Sequence, residues 1–213
     1  MAYNKFTLTS VKQKLGVDNH IHNFLPKTFA DFNVSEQLLN ELADVEGVAI
    51  ASEKAKSELI VMPIVKELKR HNKDKFSYFS GYKFNVDSKK GLTGFCDILF
   101  SAEPYKQEIE APVFYIVEAK NDLLEAGFGQ CAAEMIAAQL FNEKQGHPRK
   151  VIYGCVTNAF TWCFLKLENN SILIDSSHIP LTLTEPHKVL ATLQWILDQF
   201  NEEQTIVPQK SDK

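Results

Sequence analysis

The sequence predicts an α/β domain built on a mixed central β-sheet flanked by helices. Three features lead there. Period-two runs on either side of a polar turn, within residues 76–101, predict a β-hairpin. A long helical pattern separates the apolar runs "VFYIV" and "KVIYGCVTN", which is the arrangement of a right-handed strand–helix–strand crossover with parallel strands. A second hairpin and an amphipathic helix close the chain.

The elements follow in order. Residues 1–32 carry weak periodicity, and within "NHIHNFLP" an extended chain puts His20 and His22 on one face. Two histidines without a third ligand read as surface residues rather than a metal site. Helix signals begin in "NVSEQLLNELADVEG", with Ser35 as cap and Gly47 as stop. A second helical pattern starts near Ala51 and carries Ile60, Ile64, Val65 and Leu68 at three- and four-residue spacing. Pro63 inside it predicts a kink or a helix boundary close by.

From Phe76 the period changes to two: "FSYFSGYKFNV" is a strand, "DSKKG" a turn and "LTGFCDILFS" the next strand. The aromatic residues Phe76, Tyr78, Phe79, Tyr82 and Phe84 could stack bases, but they alternate as core residues do. A polar loop through Pro104 to Pro112 precedes the strand at Val113. An alanine-rich helix runs from about Leu123 to Lys144 and is stopped by Gly146 and Pro148. After the strand "KVIYGCVTN", the segments "TWCFLKLE" and "SILIDSS" form a hairpin joined at Asn169 and Asn170, and "EPHKVLATLQWILDQFNEEQ" is the closing helix. The expected organisation is one domain over residues 1–206: a helical N-terminal extension (1–50), a core (51–160) and a terminal hairpin and helix (161–206). Residues 207–213 are expected to be a disordered tail.

With 213 residues, 45% of them hydrophobic and 15 of them Phe, the chain can bury one sizeable core. No leader-like segment opens it, and no apolar run approaches the roughly 18 residues that span a bilayer, so a soluble, cytoplasmic protein without a membrane partner is expected. Cys96, Cys131, Cys155 and Cys163 form no C-x-x-C pair and are expected to be buried free thiols. The net charge of −4 argues against a protein that coats nucleic acid, yet the charge is unevenly spread. Residues 51–92 carry ten Lys and Arg against five Asp and Glu, while 93–146 carry three against nine. An acidic metal centre beside a polyanion-binding surface has this signature, with Lys54, Lys56, Lys69, Arg70, Lys73 and Lys75 as candidate nucleic-acid contacts. The bland alternative is that "LKRHNKDK" is a solvated helix end whose cations complement the helix dipole.

The chemistry centres on "VFYIVEAKNDL". Glu118 and Lys120 follow five apolar residues at the end of a buried strand, and alternation puts both on one face with Ala119 on the other. Charges left near a core cost on the order of several kcal/mol each unless paired or bound to an ion. Asp97 is likewise acidic inside an apolar run, "GFCDILF". If the two strands are neighbours, two carboxylates converge, and a divalent cation relieves their repulsion. Oxygen ligands without Cys or His favour Mg²⁺ or Mn²⁺. No nucleophile elbow, Walker-type loop or G-x-G-x-x-G is present, and "GFGQ" is too short to cradle phosphate.

Asp97, then Glu118-Ala119-Lys120 twenty-one residues on, with Glu58 in an upstream helix and Gln130 in the following one, resembles the PD-(D/E)XK nucleases. The order is most similar to the nuclease domain at the amino terminus of type I restriction-enzyme motor subunits and related stand-alone proteins. The resemblance covers residues 51 to about 160 and departs from the family pattern where Cys96, rather than proline, precedes Asp97. It implies a restriction-endonuclease-like fold and Mg²⁺-dependent hydrolysis of phosphodiester bonds in DNA. Asp97 and Glu118 would be metal ligands, the Ala119 carbonyl a third, and Glu58 a direct or water-mediated one. Lys120 would orient the attacking water and stabilise the phosphate, and Gln130 would hydrogen-bond Lys120 or a phosphate oxygen. Glu134, one helical turn beyond Gln130, is a further candidate that the family does not oblige to act. Duplex cleavage would need two sites, hence a homodimer or a subunit of a restriction or repair complex. The rival expectation is a catalytically inactive module of the same fold that binds DNA or a partner protein.

Overall fold

The computed structural model describes residues 2–121 and 123–206, with the backbone alone for 203–206. The expected tail, residues 207–213, lies outside the described residues. A 3₁₀ turn (Tyr3–Lys5) leads into α1 (Leu8–Leu15), which starts with a capping box between Thr7 and Ser10 and stops at Gly16 in the left-handed region, φ 71°. Next come β1 (Asp18–Ile21) and α2 (Glu36–Ala43), the latter capped by Ser35 as its sequence predicts.

The helical pattern from Ala51 resolves into α3 (Glu53–Lys56), a π-helical turn (Ser57–Val61) and α4 (Met62–His71). Pro63 lies in the first turn of α4. Its missing N–H removes the bond to the carbonyl four residues back, that of Leu59, which falls inside the widened π turn. The expected boundary is therefore present without a break in the helical chain.

The remaining elements are β2 (Ser77–Lys83), β3 (Phe95–Ser101), β4 (Val113–Ala119), α5 (Glu125–Lys144), β5 (Val151–Thr157), β6 (Thr161–Glu168), β7 (Ser171–Pro180) and α6 (His187–Ile206). The strands form one seven-stranded sheet in the order β1-β7-β6-β5-β4-β3-β2. The pairs β4/β5 and β1/β7 are parallel and the others antiparallel, so the fold is mixed α/β with helices over the sheet. The α5 crossover between parallel β4 and β5 is the expected strand–helix–strand unit. Asn169 and Asn170, at φ 49° and 59°, make the tight turn between β6 and β7 that left-handed asparagines favour.

Alternation along β3 and β4 divides the core. Ile98, Phe100, Tyr115 and Val117 pack with Leu38, Ile60, Ile64, Leu68, Leu197 and Phe200, and hence with α2, α4 and α6. Leu99 and Ile116 pack on the other face with Tyr3, Phe6, Val11, Cys131 and Met135 from the N-terminal segment and α5. Phe76, Phe79 and Phe84 are buried, so the aromatic strand serves the core. All four cysteines are buried free thiols.

β1 corrects the expectation of a purely helical N-terminal extension. It is four residues long, lies at the sheet edge and ends on exposed His20 and Ile21, so it offers no alternating pattern to read. A distant carboxylate holds the chain beyond it: buried Asp175 accepts the N–H groups of Phe24 at 2.8 Å and Leu25 at 2.9 Å. Among the described residues, no helix is long and apolar enough to cross a membrane.

Candidate functional site

β3 and β4 pair with Ile98 opposite Val117. Continuing that register outward brings Asp97 beside Glu118, and directly opposed residues share a face. Both line one pocket of about 400 Å³ together with Glu53, Lys120 and Gln130. The sequence-predicted Asp97, Glu118, Lys120 and Gln130 are thus brought together from β3, β4, the residue after β4 and the second turn of α5.

The contacts form a chain. Asp97 Oδ2 accepts the Ala119 N–H at 2.8 Å. Glu118 is 1% exposed; its Oε1 receives the Lys120 ammonium at 2.5 Å, while its buried Oε2 has no hydrogen-bond partner. Lys120 Nζ also donates to Gln130 Oε1 at 3.2 Å, and Gln130 Nε2 donates to Glu134 Oε1 at 3.1 Å. Glu134 is fully buried, so the sequence's spare acid on α5 extends the same network inward.

Two helical glycines make the approach possible. A Cβ on Gly127 would stand 2.6 Å from Val156 Cγ1 and 3.0 Å from Lys120 Cγ, so the lysine stem lies where only glycine leaves room. A Cβ on Gly129 would stand 2.3 Å from Thr7 Cα, so the start of α1 rests directly on α5. This docking carries Ala2, Tyr3 and Asn4 to the pocket wall. Tyr3 is anchored there by its hydroxyl, which donates to the Phe84 carbonyl at 2.8 Å, and by its N–H, which donates to the Thr93 carbonyl at 3.0 Å. Phe95 forms part of the wall and is 65% exposed.

The electrostatics follow from burial and crowding. Burial, reinforced by the Asp97 charge, pushes the Glu118 carboxyl up to about 8 against the opposing pull of Lys120. Burial also raises Asp97, opposed by the Ala119 N–H and by Lys120. Burial works against the Lys120 charge, but Glu118, Glu53 and Asp97 outweigh it and hold the ammonium protonated above its ordinary range. Burial and the neighbouring Glu118 raise Glu134 well above a normal carboxylate.

Other predicted residues lie elsewhere. Glu58 does not line the pocket; its side chain is 61% exposed beside Lys54, 3.7 Å away. Glu53 lines it instead. Five residues of α-helix turn through about 140°, so two acids at that spacing face different ways. Ala119 contributes its N–H to Asp97 and is not part of the pocket wall. None of the six basic candidates lines the pocket. Lys56 donates to the Asn121 carbonyl, tying α3 to the chain just after Lys120. Lys69 donates to the carbonyls of Lys73 and Phe76 and lies 5.1 Å from the Phe76 ring centroid. Arg70 pairs with buried Glu67 at 2.6 Å. Lys69 and Arg70 therefore secure the end of α4, while Lys73 and Lys75 are exposed.

Among the described residues, no group of three or more His, Cys, Asp or Glu side chains is arranged to hold a metal ion. The donor chemistry nevertheless fits a hard cation: three pocket carboxylates, one carrying a buried oxygen without a partner, and no sulfur or imidazole ligand. Fold and site together define an α/β protein that presents carboxylates and an ammonium in one pocket at the ends of two adjacent strands. Comparison with protein-family models finds no match to the chain, and comparison with curated proteins finds none either.

Proposed function

We propose that this protein is a metal-dependent nuclease of the PD-(D/E)XK type, with a restriction-endonuclease-like fold, that hydrolyses phosphodiester bonds in DNA. One observation carries the reading: Asp97, Glu118 and Lys120, distant or alternating in the chain, line a single pocket with Gln130 beside the lysine. The resemblance of the motif supports DNA as the substrate.

Asp97 and Glu118 would hold Mg²⁺ or Mn²⁺, with Glu53 in the place the resemblance gave to Glu58 and the Ala119 carbonyl as a further oxygen. When bound, such an ion acidifies water and neutralises charge gathering on the phosphate. The chain's own groups supply the rest. The Ala119 N–H fixes the Asp97 carboxylate, which limits the reorganisation needed at the moment of reaction. Lys120 presents an ammonium able to orient a water and to stabilise the crowded phosphate. Gln130, and the close approach allowed at Gly127, keep that ammonium at the pocket rather than in solvent. A second copy or a partner subunit would supply the second site for duplex cleavage.

The test uses supercoiled plasmid. Purified protein is expected to nick or linearise it with Mg²⁺ and not with chelator, and Lys120→Ala is expected to abolish cleavage while its unfolding midpoint stays within a few degrees of the wild type. Equal cleavage by Lys120→Ala removes the role given to the lysine.

A further inference from the structure

We propose that Glu134 is a positioning residue for Lys120, acting through the orientation of the Gln130 amide; its catalytic consequence rests on the nuclease reading, its geometry does not. An ammonium has donors only, so Gln130 must turn Oε1 toward Lys120. That leaves Nε2 facing Glu134, whose Oε1 accepts it at 3.1 Å. Without an acceptor at residue 134 the Gln130 amide is held by the Lys120 contact alone, and each flip points its NH₂ at the ammonium, donor against donor. Lys120 would then lose the 3.2 Å contact to Gln130 that holds it on the pocket side.

The spacing is what a helix requires. Gln130 and Glu134 are one turn apart on α5, and the turn before them carries Gly127, over which the lysine stem lies. A carboxyl buried to 0% exposure is costly to keep, and an apolar side chain of similar volume would fill the site more cheaply if filling were its only role. Its orientation of Gln130 supplies the reason for its presence.

The experiment follows the Gln130 side-chain amide and the Lys120 side-chain signals by NMR in metal-free protein, alongside plasmid cleavage with Mg²⁺. Glu134→Met fills the volume without an acceptor. It is expected to speed exchange of the Gln130 amide protons and lower kcat roughly ten-fold or more, with KM little changed. Glu134→Gln, which keeps an oxygen, retains most of the protection and most of the rate. Gln130→Met shifts the Lys120 signals by itself, and adding Glu134→Met to it changes neither those signals nor kcat further. Unchanged amide exchange in Glu134→Met, unchanged Lys120 signals in Gln130→Met, or additive losses in the double variant overturn the proposal. If the wild type cuts no nucleic acid, the nuclease reading falls, and the amide and lysine signals alone decide the role of Glu134.

Discussion

Replacing Glu118 with Gln changes how stability depends on pH, and the size of the change follows from its surroundings. The Glu118 carboxyl, 1% exposed beside Asp97, is pushed up to about 8 in the folded protein, from an ordinary value of 4.5. Between those values the folded state keeps a proton that the unfolded chain has released, so rising pH favours unfolding. One retained proton corresponds to about 1.4 kcal/mol per pH unit. From pH 5 to pH 7 the wild type should lose about 2 kcal/mol from this group, after a discount for the adjacent Lys120 ammonium. Glu118→Gln has no proton to release there and should show a correspondingly flatter profile. The assay is urea unfolding at a series of pH values with chelator present. Comparing slopes removes any constant offset from the lost ion pair. A wild type that gains stability over this range, or a Glu118→Gln variant with an undiminished slope, refutes the reasoning.

Two further substitutions test how the site is supported. Gly129→Ala places a Cβ 2.3 Å from Thr7 Cα, a backbone atom that cannot rotate away. Overpacking of about 1–3 kcal/mol should outweigh the gain of about 1 kcal/mol in helix propensity, and residues 2–15 should become more open to protease; unchanged stability and protection would contradict the docking of α1 on α5. Glu67→Ala removes the carboxylate shared by the Ser35 N–H, the Ser35 hydroxyl and Arg70, leaving Arg70 with Glu41 at 3.9 Å. A loss of about 2–4 kcal/mol in urea unfolding is expected, and a loss within experimental error would show that the network contributes nothing.

Much of the sheet was legible because its signals are local. Asn169 and Asn170 mark their own turn, and the apolar runs that enclose Asp97 and Glu118 identify both as strand residues whose charge needs an explanation. What the sequence hid depends on partners far along the chain. β1 is four residues long and acquires its place only by pairing with β7, about 150 residues away. Whether Glu53 or Glu58 faces the pocket is a matter of helix phase at a π turn, which spacing alone cannot resolve. Lys69 and Arg70 look like free cations in "LKRHNKDK", yet their partners are two backbone carbonyls and a buried glutamate. The N-terminal wall does leave a trace in the sequence: Gly127 and Gly129 in an otherwise alanine-rich helix, a composition that marks close approach.

In the proposed function, the carboxylates of β3 and β4 converge to hold one hard cation. Titration calorimetry of Mn²⁺ into the wild type, Asp97→Asn and Glu118→Gln tests it most directly. A saturable single-site isotherm is expected for the wild type, with proton release because the Glu118 carboxyl must ionise, and loss of that isotherm in both variants. Equal binding by all three proteins, or no binding by any, contradicts it.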